Sequence, residues 1–365
     1  MNRILVFLFL VLSSLSVSAQ LSGDGYYRVQ NQYTSRYVVV LSNKGDINYA
    51  SNEVDLGSIE TLKNFDKVVS NPASIIYIES HGSDGYILKA QGTDTYSMIG
   101  YYLKIRDNKN GTYRAYATAA GITKYLTDEA TTASEGVLLT NGSKTRDWYI
   151  KPVNLDDEQY FGITPEYTDE TGGYATIYAS FPFNFASEGM KAYYVYKIDV
   201  NRNVAVCKEI NGTVPAATPV IIKCSSATAS GNKLNLLKNN VTGLSGNLLD
   251  GVYFKNSNKK LYNQKEYNPA TMRVLGKMDN GEIGFVTANY DYLPANKAYL
   301  NVPAGLPSEI SMIDYEDYVT GVEDITAKID DDKAIYTLTG VKINSDVDHL
   351  PSGIYVINGK KVVVR

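Results

Sequence analysis

Along most of the chain, apolar and polar residues alternate in short runs separated by Gly, Asn, Asp and Pro. This is the pattern of half-buried strands joined by turns. Tyr101-Tyr-Leu-Lys-Ile-Arg, the turn Asp107-Asn-Lys-Asn-Gly111 and Thr112-Tyr-Arg-Ala-Tyr predict one hairpin. Val274-Leu-Gly-Lys-Met, Asp279-Asn-Gly281 and Glu282-Ile-Gly-Phe-Val predict another. Asn358-Gly359 predicts a third, of the two-residue kind whose positive φ values Asn and Gly tolerate. A helical period shows at Ile59, Leu62, Phe65, Val68 and Val69, with Asp55 as N-cap and Asn71-Pro72 as the stop. The expected fold class is mainly β.

The first residues follow a different rule. Arg3 precedes nine unbroken apolar residues, Ile4 to Leu12, and a Ser-rich stretch then reaches Val17-Ser-Ala19. That is the pattern of a secretory signal peptide, residues 1–19, cleaved between Ala19 and Gln20. Nine apolar residues fall far short of the roughly 20 that a spanning helix needs, and no later stretch is apolar enough to cross a membrane. The expected product is an exported chain of 365 − 19 = 346 residues, placed outside the cell, on its outer surface or in the periplasm. That length suits two or three domains.

Three regions follow the leader. The first, residues 20–153, opens on Gly25-Tyr-Tyr-Arg-Val-Gln-Asn-Gln-Tyr-Thr-Ser-Arg-Tyr-Val. Gly85-Tyr-Ile-Leu-Lys-Ala and Gly111-Thr-Tyr-Arg-Ala-Tyr echo it, and the region closes on Asp147-Trp-Tyr-Ile. Three weakly similar units of about 40 residues are what a threefold β-fold leaves in sequence. The phrase Tyr-x-Val-x-Asn-x-x-Thr-x-x-Tyr-Val, with a late Trp148, resembles the ricin-type β-trefoil. Arg146 stands where that family usually has Gln. The resemblance implies a β-trefoil-like domain and, through it, carbohydrate binding.

The second region, 154–310, carries evenly spaced alternating strands and reads as an antiparallel β-sandwich. Its pieces Tyr174-Ala-Thr-Ile-Tyr-Ala-Ser-Phe-Pro-Phe, Gly189-Met-Lys-Ala-Tyr-Tyr-Val-Tyr-Lys-Ile, Val214-Pro-Ala-Ala-Thr-Pro-Val-Ile-Ile-Lys and Leu293-Pro-Ala-Asn-Lys-Ala-Tyr-Leu resemble a module common in exported proteins of Bacteroidetes-type bacteria. An acidic link, 311–333, then leads to residues 334–365. Their Ile335-Tyr-Thr-Leu-Thr-Gly-Val-Lys-Ile and Leu350-Pro-Ser-Gly-Ile-Tyr-Val-Ile-Asn-Gly resemble the C-terminal sorting modules of such proteins. In some members that module is the address read by the type IX secretion apparatus, so the resemblance implies export machinery as a partner.

Charge and composition narrow the chemistry. The mature chain carries 34 basic and 39 acidic residues with no basic stripe, which argues against nucleic acid. Tyr occurs 31 times against 9 Phe and one Trp, suiting strands with one wet face. Cys207 and Cys224 are the two cysteines. In an oxidising compartment they either form a disulfide or stay as two buried thiols. With two histidines and no CxxC, no metal or cofactor is expected. The acidic clusters Asp156-Asp-Glu158, Asp169-Glu170 and Asp330-Asp-Asp332 fall in predicted turns, where such runs are usually solvated. No catalytic constellation emerges.

Sugar binding has firmer support, because aromatic rings on a sheet can stack on a pyranose while neighbouring polar groups fix its hydroxyls. Tyr26, Tyr27, Tyr101 and Tyr102 are the candidates, since one ring of each adjacent pair must face outward from a strand. The function expected is glycan binding at the cell surface without catalysis. Its rivals are a polysaccharide hydrolase with paired carboxylates and a purely structural surface component.

Overall fold

The structure is a computed structural model that describes residues 21–40, 59–62, 65–82, 85–89, 91, 97–98, 101–102, 104–128, 138–140, 145–156, 158–253, 265–320, 335–357 and 360–364. The leader with Ala19 and Gln20, Asp55, Asp157, Asp330-Asp-Asp332 and the turn Asn358-Gly359 lie outside them. The chain divides into two compact units, the second of which holds Val69–Ala73 together with the residues from Leu155 onward.

Among the described residues the first unit holds twelve strands in three successive sets of four. They are β1 (Gly25–Asn31), β2 (Tyr37–Val40), β3 (Ile59–Leu62) and β4 (Ile76–Ser80); then β5 (Tyr86–Lys89), β6 (Ser97–Met98), β7 (Tyr101–Tyr102) and β8 (Lys104–Asp107); then β9 (Tyr113–Ala119), β10 (Ile122–Thr127), β11 (Leu138–Thr140) and β12 (Trp148–Pro152). The outer members of each set pair as β1-β4-β5-β8-β9, and β12 pairs with both β9 and β1. Six antiparallel strands therefore close into a barrel that has no free edge. The inner members pair as three hairpins, β2 with β3, β6 with β7 and β10 with β11.

Period-two alternation fills this barrel. Tyr27 and Val29 of β1, Ile76 and Ile78 of β4, and Ala115 and Ala117 of β9 point inward with Trp148 and Ile150 of β12. Trp148 Nε1 donates to the Leu126 carbonyl at 3.0 Å, so its one polar atom is satisfied in the core.

The opening phrase has a structural explanation. Asn31 is fully buried; its Oδ1 accepts the Tyr33 and Thr34 amides, and its Nδ2 donates to the Thr145 carbonyl at 2.7 Å. Arg36 makes a bidentate pair with buried Asp128, Nη2–Oδ1 2.8 Å and Nε–Oδ2 3.1 Å, and the Thr34 hydroxyl donates to the same carboxylate.

The helix expected over Ile59 to Val69 is a strand in its first part and a helix only in its last turn. Ile59–Leu62 pairs with Tyr37–Val40, and only α1 (Phe65–Val68) is helical. Cross-strand pairing with the β-branched run Val38-Val-Val40 outweighs a local period of five residues.

The second unit contains β13 (Phe161–Gly162), β14 (Tyr167–Asp169), β15 (Gly172–Ile177), β16 (Phe183–Phe185), β17 (Lys191–Asp199), β18 (Val204–Glu209), β19 (Val220–Cys224), β20 (Lys233–Leu236), β21 (Leu249–Val252), β22 (Met272–Lys277), β23 (Ile283–Val286), β24 (Lys297–Asn301) and β25 (Glu309–Asp314). Ten of these form one sheet in the order β14-β15-β19-β17-β18-β25-β23-β22-β24-β21, with β18 and β25 the parallel neighbours. The sheet curls until β14 meets β22 and β23. Val195, Ala205, Ile221, Leu275, Phe285, Leu300 and Ile310 fill the inside of the curl. β13, β20 and β16 form a separate three-stranded sheet.

Cys207 and Cys224 are buried free thiols. β17 lies between their strands, so they are two strand spacings apart, roughly 9–10 Å. They are also offset along the strands, because Cys207 faces Val195 whereas Lys223, beside Cys224, faces Lys191. Cys207 joins Ile221 inside the curl, and Cys224, three residues on from Ile221, faces the other side. A disulfide needs Cα atoms within about 7 Å, so the bridge does not form in this fold.

The link expected from residue 311 starts inside β25, a central strand. It continues into α2 (Tyr315–Thr320). Tyr315 packs edge-on against Tyr196 at 5.7 Å, and Lys208 Nζ sits 3.7 and 3.9 Å from the two ring centroids. The hydroxyl of Tyr318 donates to Asp199 Oδ2 at 2.9 Å.

The tail forms a four-stranded antiparallel sheet of β26 (Ile335–Thr337), β27 (Lys342–Ile343), β28 (Gly353–Ile357) and β29 (Lys360–Val364), ordered β27-β26-β28-β29. Its own small core contains Ile335, Leu350, Tyr355, Ile357 and Val362. Ile357 pairs with Lys360.

Candidate functional site

The pairing registers decide which side chains face outward from the barrel. Tyr27 points inward, 2 % exposed, and its hydroxyl donates to the Gly23 carbonyl at 2.7 Å. It is a core residue. Tyr26 points outward and meets Tyr77 of β4 edge-on, ring centroids 5.1 Å apart. Burial, and then the neighbouring Tyr77, push its phenol up to about 12. Lys89 and Glu79 form an ion pair of 2.7 Å on neighbouring strands of the same face. Tyr101 and Tyr102 lie on β7, opposite Met98 and Ser97; their side chains lie outside the described set.

A second outer face groups residues that the sequence reading did not bring together. Arg106 of β8 stands directly opposite Arg114 of β9, and Tyr116 of β9 lies between Lys104 of β8 and Tyr125 of β10. The Tyr116 and Tyr125 rings are 6.1 Å apart, tilted by 45°. The Arg106 guanidinium lies 5.9 and 6.0 Å from these two rings, Arg114 lies 6.0 Å from Tyr125, and Arg146 approaches Tyr125 most closely at 4.9 Å. Arg114 Nε holds Asp147 Oδ1 at 2.6 Å, and that hydrogen bond raises the arginine above its ordinary range. Asp107 is engaged by the Lys109 amide and ammonium. The signal for this cluster was present in the alternation of Thr112-Tyr-Arg-Ala-Tyr, which puts Arg114 and Tyr116 on one face. Arg146 drew notice only as a departure from Gln.

In the second unit a small open cleft is lined by Glu166, Tyr167, Tyr290, Leu293, Lys297 and Tyr299, among others. Glu166 Oε1 is held by Lys297 Nζ at 2.8 Å and by the Thr176 amide at 2.8 Å. The Tyr299 hydroxyl donates to Asp250 at 2.7 Å. Burial raises the Tyr167 phenol, with Tyr290 and Glu166 adding to it. Glu166 is the one carboxylate among the described residues of this lining. Asp169, from one of the acidic clusters, is spent on the Thr171 and Ile283 amides. No group of three or more metal-ligating side chains occurs among the described residues.

No known family's profile matches the chain. No curated protein matches it either. Among solved structures, one described as "Structure and mode of action of a mosquitocidal holotoxin" aligns at 13 % identity, with a TM-score of 0.28. The alignment covers 75 % of this chain and 40 % of the toxin, so the chain spans about two fifths of that protein's length. A superposition this loose carries no argument about fold or activity.

Proposed function

We propose that this chain is an exported, non-enzymatic glycan-binding protein acting outside the cell or on its outer surface. In this reading its first unit is a ricin-type β-trefoil. Six barrel strands with three hairpins, in three sets of four, are the arrangement such a fold needs. The signal-like leader and the basic, sorting-like tail supply export and placement. The curled sheet of the second unit is read as a sandwich.

One observation carries the binding reading. The barrel sets half-buried tyrosines in pairs on its outer surface, Tyr26 with Tyr77 and Tyr116 with Tyr125. Charged and hydrogen-bonding groups flank each pair. A ring fixed by its neighbours loses little entropy when a sugar stacks on it, so such surfaces are efficient platforms.

The test is a glycan-array screen of the chain beginning at Gln20, run beside a hydrolysis assay on the same sugars. Retention of a set of glycans without release of reducing ends is expected. Release of reducing ends, or no retention of any glycan, would contradict the reading.

A further inference from the structure

We infer that the outer face of β8, β9 and β10 binds a uronic-acid glycan, with Arg106 and Arg146 as its carboxylate-binding residues. This deepens the proposed function and rests on it.

The charge balance is the first argument. Arg106 and Arg114 occupy directly opposed positions on neighbouring antiparallel strands. Like charges so placed are destabilising. Arg146 brings a third guanidinium to the Tyr125 ring. Among the described residues the carboxylate paired in this cluster is Asp147, and its partner is Arg114. Arg106 and Arg146 make no ion pair among the described residues, so within these their positive charges have no counter-charge. The whole chain is acidic, with a formal net charge of −4, which makes this local excess of cations the more specific.

The geometry is the second argument. The tyrosine rings hold the guanidiniums through cation–π contacts, which fixes the cations without neutralising them. A guanidinium is a planar fork that matches a carboxylate in two parallel hydrogen bonds. Tyr116 and Tyr125 offer apolar surface beside those forks, and the facing hydroxyls of Thr118 and Thr123, 2.9 Å apart, lie one step along the same strands. Pyranose surface, ring hydroxyls and a carboxylate thus each find a chemical match on one face. The fork also fits two oxygens of a tetrahedral oxyanion, so a sulfated glycan is the competitor that the experiment has to separate from the uronate.

The experiment is titration calorimetry of the chain from Gln20 with polygalacturonate oligomers, their carboxyl-reduced neutral counterparts and a sulfated glycan. The same titrations are run on R106Q, R146Q and the double variant, with melting curves for each. The acidic oligomer should bind at least about tenfold more tightly than the reduced one, as expected where charge-assisted bonds are lost. Its affinity should fall with salt, and each variant should weaken it. Because Arg106 opposes Arg114, R106Q should leave the melting temperature unchanged or raise it, a result that a merely structural arginine would not give.

Equal binding of acidic and neutral oligomers would overturn the uronate inference and leave the glycan reading standing. So would preference for the sulfated glycan, or variants that bind as well as the parent. Absence of binding to every sugar would overturn both.

Discussion

Buried polar groups set the sharpest expectations at the scale of single residues. Asp128 is fully buried and receives both forks of Arg36. Removing one partner of such a pair strands the other charge, at about 3–5 kcal/mol. Urea unfolding of D128A should therefore lose stability on that scale, and a loss under about 1 kcal/mol would show that water reaches the site. Arg273 is buried differently, with its guanidinium spread over the carbonyls of Pro269, Met272, Leu306 and Pro307. The two thiols give a pH prediction. Burial, followed by Asp314 for Cys207 and by Glu166 for Cys224, pushes both up to about 12. The unfolded thiols ionise first as pH rises, so this contribution is whole below about pH 9 and is lost between there and pH 12. At pH 8 the folded chain should react slowly with a thiol reagent, both thiols should react on unfolding, and reductant should not change the melting temperature. A reductant-dependent melting temperature would mean that the thiols are bridged after all.

The elements show how much was legible in the sequence. Strands announced themselves by alternation and their turns by Asn and Gly. The Asp107-to-Gly111 and Asp279-Asn-Gly281 turns join paired strands, because turn chemistry is local and the sequence states it outright. Two elements hid for a common reason. β3 has a helical period, and β25 leads into an acidic run that reads as a linker, yet both are strands because distant partners claim them. The Arg–Tyr face was illegible for a related reason: register between three strands assembles it, and no single stretch contains it. β25 also supplies a test. It lies between β18 and β23 in the middle of its sheet, whereas the tail sheet has its own core. A chain ended after Thr320 should keep the main unfolding transition of the second unit, and one ended before Glu309 should lose it. Loss of that transition in the longer truncation product would show that the tail sheet holds the unit together.

For the whole molecule, the proposed binding role rests on the closed barrel of the first unit. What the fold contributes to binding is rigidity. A closed barrel leaves no edge to fray, so side chains on its outer strands are held in place before a ligand arrives, and less entropy is lost on binding. The same reasoning separates the barrel face from the cleft beside Glu166, whose carboxylate is already satisfied by Lys297. The most direct measurement is therefore protein-observed NMR of the arginine Nε–Hε signals during titration with polygalacturonate oligomers. The account predicts that the signals of Arg106, Arg114 and Arg146 shift together and saturate, while that of Arg273, fixed on backbone carbonyls, stays where it is. An arginine spectrum that does not change at all, or an Arg273 signal that moves as far as the other three, would contradict it.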